Sequence, residues 1–270
     1  MPAFIQITDT HIVEKGRFVC KASDTNASLR KAVAYINKRL PSLGKIDCAI
    51  VTGDLTDTGT AEEYAHFSEI MADLDVPWIA IPGNHDTRET MRATFSQQDW
   101  MPSSGPIQWL RDFGPFAVLG LDTLLEGAHH GELSDLAFTF VDTQLSTLAG
   151  KPLVVATHHP WMHCGITEMD ADNLRNGAAL MERLEQYPGP TRMISGHVHR
   201  AITGQIGSVL CQISPSTCHS VHRDQRKDAV HSLALEPGAV TFFTWPDGAQ
   251  SGLISDILSL EEIAQPMPFD

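Results

Sequence analysis

Five short motifs, each following an apolar run, set metal-ligand side chains along the chain in one order. They are Asp9-Thr10-His11, Gly53-Asp54, Gly83-Asn84-His85-Asp86, His158-His159-Pro160 and Gly196-His197-Val198-His199. The runs before them are strand-like: Phe4-Ile5-Gln6-Ile7, Cys48-Ala49-Ile50-Val51, Trp78-Ile79-Ala80-Ile81, Leu153-Val154-Val155-Ala156 and Met193-Ile194. Open α/β sheets bind ligands outside the carboxyl ends of their strands. Asp, His and Asn donors gathered at one such edge are what a pair of divalent cations needs.

Each motif alone is weak, because Asp and Asn at strand ends usually serve turns. Gly53 permits a tight turn, and Asp54 has two oxygens with which to bridge two ions. Asp57 reads as a polar turn residue. Asn84 offers a neutral amide oxygen, and His85 beside it is free to face substrate. Asp86 is expected to orient a histidine or to cap a helix over 87–94. His197 and His199, two apart on an extended chain, point the same way. Of the thirteen histidines, four ligand candidates fall in this series, His11, His158, His197 and His199, each just past a strand. Chance accounts for one such match and poorly for the set.

The elements that must carry these motifs alternate. After the first strand a helix starts at Ser23 or Asp24, either a good N-cap. Its apolar positions are Leu29, Val33, Ile36 and Leu40, and Pro41 is expected to stop it. Thr60 with Glu63 forms a capping box, followed by a stripe of Tyr64, Phe67, Met71 and Leu74. Strand–helix–strand–helix–strand order implies a parallel sheet with right-handed crossovers. Further on, Phe116–Leu121 reads as a strand. Ser134–Leu148 reads as a helix with Leu136, Phe140, Val141, Leu145 and Leu148 on its apolar side. A further helix is expected near Ala178–Gln186. Segments 208–213, 231–236 and 239–245 read as strands, and Ser255–Ala264 as a helix-like tail. The whole reads as an α/β core with antiparallel strands added late.

Composition bounds the partners. The 270 residues, 42% hydrophobic, suit one α/β domain or one with a small appendage. A formal net charge of −14 argues against a nucleic-acid polymer as partner. The five cysteines are scattered and form no CxxC pair, which suits reduced thiols in the cytoplasm. Cys211 and Cys218 are near enough in sequence to pair across a loop. No apolar run approaches the roughly 18 residues that span a bilayer, so no membrane association is expected. Met1-Pro2-Ala3 runs straight into the first strand, so no signal peptide is expected.

The order D-x-H, G-D, G-N-H-D, H-H-P, G-H-x-H resembles that of the calcineurin-like metallophosphoesterase superfamily. Asp24-Thr25-Asn26-Ala27-Ser28-Leu29 and Pro215-Ser216-Thr217 resemble its bacterial cyclic-nucleotide and glycerophosphodiester phosphodiesterase branch. The resemblance implies a two-sheet αββα sandwich. Residues 1–200 would form the catalytic core, and 201–270 would complete the sandwich and add cap and dimerisation elements. It implies two divalent ions, one held by Asp9, His11, Asp54 and His199, the other by Asp54, Asn84, His158 and His197. Without thiolate, that donor set suits Mn, Fe, Co or Zn. His85 would stabilise developing charge or protonate the leaving oxygen, and His159 would support the ligands. Arg17 and His219 are expected to line the substrate. Lys15 and Lys21 share the loop of Arg17, while His163 and His222 lie in loops expected to overhang the pocket.

The activity implied is hydrolysis of a small phosphodiester, a 3′,5′-cyclic nucleotide or a glycerophosphodiester, by attack of a metal-bound hydroxide. A phosphomonoesterase or phosphonate-ester hydrolase would use the same core. A non-catalytic metal-binding scaffold is the third reading, and the complete ligand set speaks against it. Residues 161–177 and 205–250 are expected to build a lid and a homo-oligomer surface.

Overall fold

The computed structural model describes residues 1–226, 228–247, 252–261 and 267–269. The first half alternates: β1 (Ala3–Ile7), α1 (Thr25–Leu43), β2 (Cys48–Thr52), α2 (Ala61–Met71), β3 (Trp78–Ile81) and α3 (Arg88–Thr94). Then come β4 (Trp109–Asp112), β5 (Ala117–Gly120), α4 (Asp135–Leu148), β6 (Leu153–Ala156), α5 (Thr167–Ala171), α6 (Gly177–Gln186) and β7 (Thr191–Ser195). The chain continues through β8 (Ile202–Ile206), β9 (Val209–Ile213), β10 (Ser220–Val221), β11 (Leu233–Ala234), β12 (Ala239–Thr244) and β13 (Ile254–Ser259).

Two sheets face each other. One has the order β13-β12-β1-β2-β3, the other β4-β5-β6-β7-β9-β8, and β10-β11 is a separate ribbon. β1, β2 and β3 run parallel, as do β5, β6, β7 and β9. Side chains alternate across each strand. Val118, Val154 and Ile194 turn inward and pack with Phe4 and Phe243 of the other sheet. Ala117, Leu119, Val155 and Met193 turn outward onto Val141 of α4 and Leu180 and Leu184 of α6. On the far side, Leu29 and Ile36 of α1 and Tyr64 and Phe67 of α2 cover the first sheet. The molecule is therefore layered αββα.

Several expectations hold. Asp24 caps α1 by accepting from the Ala27 N–H, and Thr60 and Glu63 form the reciprocal box on α2. The α2 stripe Tyr64, Phe67, Met71 and Leu74 is buried.

Others fail. α1 does not stop at Pro41 but runs through it to Leu43. In the last turn a missing N–H costs a single intrahelical bond, and the end is set by Gly44 at φ 80, whose N–H bonds the Leu40 carbonyl. The tail begins as a strand, β13, paired antiparallel with β12; residues 262–264 lie outside the described residues. Of 231–236, only Leu233–Ala234 forms a strand. Leu136 is 63% exposed, because the buried stripe of α4 runs through Ala137 and Val141. Cys211 and Cys218 are not paired, and all five cysteines are free thiols. Among the described residues no helix is long and apolar enough to cross a membrane.

Candidate metal centre

The ligand motifs sit where parallel strands of both sheets end on a shared edge. Asp9 and His11 follow β1, Asp54 follows β2, Asn84 follows β3, His158 follows β6, and His197 and His199 follow β7. Five of these side chains are carried on left-handed backbone: Asp9 (φ 52), His11 (φ 44), Asp54 (φ 50), His197 (φ 68) and His199 (φ 56). That conformation costs a non-glycine residue roughly 1–3 kcal/mol, and such strain clusters at functional sites. Two glycines make room. A Cβ on Gly53 would strike the His158 ring, and one on Gly83 would strike the Asp54 carboxylate.

The donors converge in two groups. In the first, His11 Nε2 lies 3.1 Å from His199 Nε2 and 3.5 Å from Asp54 Oδ2, and His199 Nε2 lies 3.4 Å from Asp9 Oδ1. In the second, His158 Nε2 lies 3.1 Å from Asn84 Oδ1 and 3.2 Å from Asp54 Oδ2, and His197 Nδ1 lies 3.0 Å from the same Asn84 oxygen. Asp54 belongs to both.

The chemistry of these contacts tests whether cations fit. The Nδ1 of His158 faces the Thr52 carbonyl at 2.9 Å, that of His199 the His219 carbonyl at 3.0 Å, and that of His11 the Asp57 carboxylate at 3.1 Å. Those oxygens only accept, so each Nδ1 carries the hydrogen, and a ring that holds no second proton turns a lone pair inward. The inward atoms are then acceptors facing acceptors. Nε2 of His197 is buried with no partner among the described residues. Inward-facing side-chain acceptors gathered in this way fit cations, and the outer bonds orient the rings as ligand supports do.

Electrostatics agree. Burial pushes the Asp9 and Asp54 carboxyls up, but the imidazoles outweigh it. His199 helps bring Asp9 down to about 2, and His158 holds Asp54 well below the usual carboxylate range. Burial lowers His11, and it takes His197 to about 3 with help from the charge of His158. His158 is the exception. Burial opposes its charge, but Asp54 raises it to about 9.

Around the donors lies a pocket of about 420 Å³. His11, Asp54, Asn84, His85, His197 and His199 line it, with His219 and Asp57. His85 is 35% exposed on its side chain. Its Nδ1 donates to the Asp57 carbonyl at 2.7 Å and its backbone N–H to Asp54 Oδ1 at 2.9 Å. Burial works against its protonated form, but Asp54 prevails and its pKa is raised. His159 is buried away from the pocket, its ring between the Thr123 hydroxyl and the His129 carbonyl.

Some expected residues are elsewhere. The Arg17 side chain is 70% exposed and pairs with Glu14 at 3.6 Å; it does not line the pocket. Lys15 pairs with Glu69, and His163 and His222 are exposed and also absent from the lining. Asp86 neither caps α3 nor orients a histidine. Its carboxylate accepts from the N–H groups of Gly83, Leu55 and Thr56 and the hydroxyls of Thr56 and Tyr64, tying the two ligand loops together. Asp57, read as a turn residue, instead holds His11 with its side chain and His85 with its carbonyl. The signal was its place three residues after Asp54, in the same turn.

The chain matches the calcineurin-like phosphoesterase family over residues 2–201. It is 33% identical over 266 residues to a probable glycerophosphodiester phosphodiesterase of Arcobacter nitrofigilis, covering 98% of this chain and 96% of the relative. It is 30% identical over 214 residues to a 3′,5′-cyclic adenosine monophosphate phosphodiesterase of Pseudomonas aeruginosa, covering 79% and 75%. A dimetal phosphatase from Danio rerio superposes with a TM-score of 0.60 at 13% identity, covering 96% of this chain and 99% of that one; at that identity the likeness speaks for fold alone. With a match of this length and a converging donor set, the chain belongs to the calcineurin-like phosphoesterase family.

Proposed function

We propose that this protein is a metal-dependent phosphodiesterase that hydrolyses a small phosphodiester, a 3′,5′-cyclic nucleotide or a glycerophosphodiester. The observation that carries the reading is the pair of acceptor clusters sharing Asp54 and opening on one pocket. Relatives named for both substrates support it. Asp9, His11, Asp54 and His199 would hold one divalent ion, and Asp54, Asn84, His158 and His197 the other. Mn, Fe, Co or Zn suits these nitrogen and oxygen donors. Two bound ions supply Lewis-acid stabilisation of phosphoryl oxygens and acidify water.

The chain's own residues do the rest. His85 keeps Nδ1–H on the Asp57 carbonyl, so Nε2 is left to serve the leaving oxygen as hydrogen-bond donor and acid. Asp57 keeps His11 turned toward the centre. His219 forms a wall of the pocket. Residues 1–200 make the catalytic core in this reading, with 201–270 completing the sandwich and capping it. Unpaired cysteines support a cytoplasmic setting, and the pocket wall from β10-β11 is the surface on which we place a cap and a homo-oligomer contact.

The test is turnover of bis(p-nitrophenyl) phosphate with Mn²⁺ and after chelation, beside p-nitrophenyl phosphate. Diester turnover that needs metal and exceeds monoester turnover supports the reading. Equal rates with and without metal overturn it, and a preference for the monoester makes the protein a phosphomonoesterase.

A further inference from the structure

The opposite end of the sandwich holds a second cleft. It opens where β6 and β7 begin, at Leu153 and Thr191, whereas the metal-ligand loops follow the ends of those strands. Its volume is about 380 Å³. Phe116, Pro152, Val154, Leu210, Trp245 and Leu253 give it apolar walls, and the Phe116 and Trp245 rings stack with centroids 6.0 Å apart. Arg192, the second residue of β7, is the one charged residue among the described residues that line it.

That arginine is under-used. Nη2 donates to the Leu253 carbonyl at 2.9 Å, and the guanidinium carbon lies 5.9 Å from the centroid of the Phe243 ring. Among the described residues Nη1 is buried with no partner, and no carboxylate forms an ion pair with the group. Burial alone accounts for the lowering of its pKa, with no acid offsetting it. A guanidinium nitrogen withdrawn from water and left without an acceptor is costly. Its planar fork matches a carboxylate, which takes two N–H donors at once. Mostly apolar cavities with a single fixed charge are the usual form of small-ligand sites.

We propose that this cleft binds a small organic carboxylate with a flat apolar body, its acid group on Arg192 and its body between Trp245, Phe116 and Leu210. The carboxylate supplies the acceptors that Nη1 lacks, and rotation about the terminal side-chain bonds presents Nη1 to it. The site is separate from the metal centre and needs no metal.

The probe is naphthalene-2-carboxylate, titrated calorimetrically into the full chain with metal bound and again after chelation, with naphthalene-2-carboxamide as the neutral match. Saturable binding of the acid in both states, and at least tenfold weaker binding of the amide, supports the site. Arg192→Met should weaken the acid at least tenfold, leave the amide unchanged and leave diester turnover at the wild-type level. Equal binding of acid and amide, loss of binding on chelation, or an acid affinity unaltered by Arg192→Met overturns the proposal. If Arg192→Met does not fold, the acid–amide comparison with and without metal on the unaltered protein decides it alone.

Discussion

Asp54 is the side chain on which both halves of the centre depend, since one of its oxygens lies within 3.5 Å of His11 and 3.2 Å of His158. Asp54→Ala should therefore empty both sites and abolish turnover, checked by metal content per chain. His85→Ala should keep two ions per chain and lower turnover by about 10²–10⁴-fold, the usual worth of a positioned acid; a variant that lost its metal would show that His85 is a ligand. Asp57→Ala should weaken metal binding by about 10–100-fold, as loss of a ligand's outer partner does. A pH linkage follows from His158. In the metal-free protein its pKa stands at about 9, against 6.5 ordinarily, because Asp54 outweighs burial. A raised folded pKa gives stabilisation that is complete below 6.5 and is lost as pH rises through about 9. Metal competes for the same nitrogen, so near neutral pH its binding should release a proton and tighten as pH rises. Calorimetry in buffers of different ionisation enthalpy measures that release; identical heats would refute it. The seven side chains that converge here were legible because each lies in a motif that follows an apolar run. The task of Asp57 was not, because a turn aspartate looks the same whether its carboxylate faces water or a histidine.

The strands hold these side chains in place through a polar pin between the sheets. Gln6 of β1 donates to the Thr52 hydroxyl at 2.9 Å and the Ser195 carbonyl at 3.2 Å, and accepts from Ser214 at 2.6 Å. Thr52, Ser195 and Ser214 stand at or just past the ends of β2, β7 and β9, directly beneath the ligand loops. Gln6→Leu keeps the volume but strands buried partners, so it should cost about 1–3 kcal/mol in urea unfolding and loosen metal binding through Ser195 and the histidines that follow. An unchanged midpoint would show the network to be dispensable. Periodicity exposed the parallel strands and their helices, because a buried parallel strand is a short apolar run and an amphipathic helix repeats every three to four residues. It failed at β13, whose Ile254, Ser255, Asp256 and Ile257 are all exposed. A strand wet on both faces has no alternation to read. It failed also at Pro41, where position in the last turn, not residue type, decides whether a proline breaks a helix.

Charge governs how substrate approaches. The chain carries a formal −14, and two divalent ions would still leave it negative. The pocket offers little relief, since no Lys or Arg is among the described residues that line it, and Asp57 and Asp172 are. A monoanionic diester must therefore enter against the long-range field and gains attraction only near the ions themselves. Raising salt from about 10 mM to about 150 mM shortens the screening length from about 30 Å to about 8 Å. That range spans the approach but not the contacts inside the pocket, so the repulsion fades while the local attraction stays. KM for bis(p-nitrophenyl) phosphate should fall over this range with kcat unchanged, and a single-stranded oligonucleotide should compete poorly at the low end. A KM that rises with salt would mean that the local positive field of the ions, not the net charge, controls the encounter.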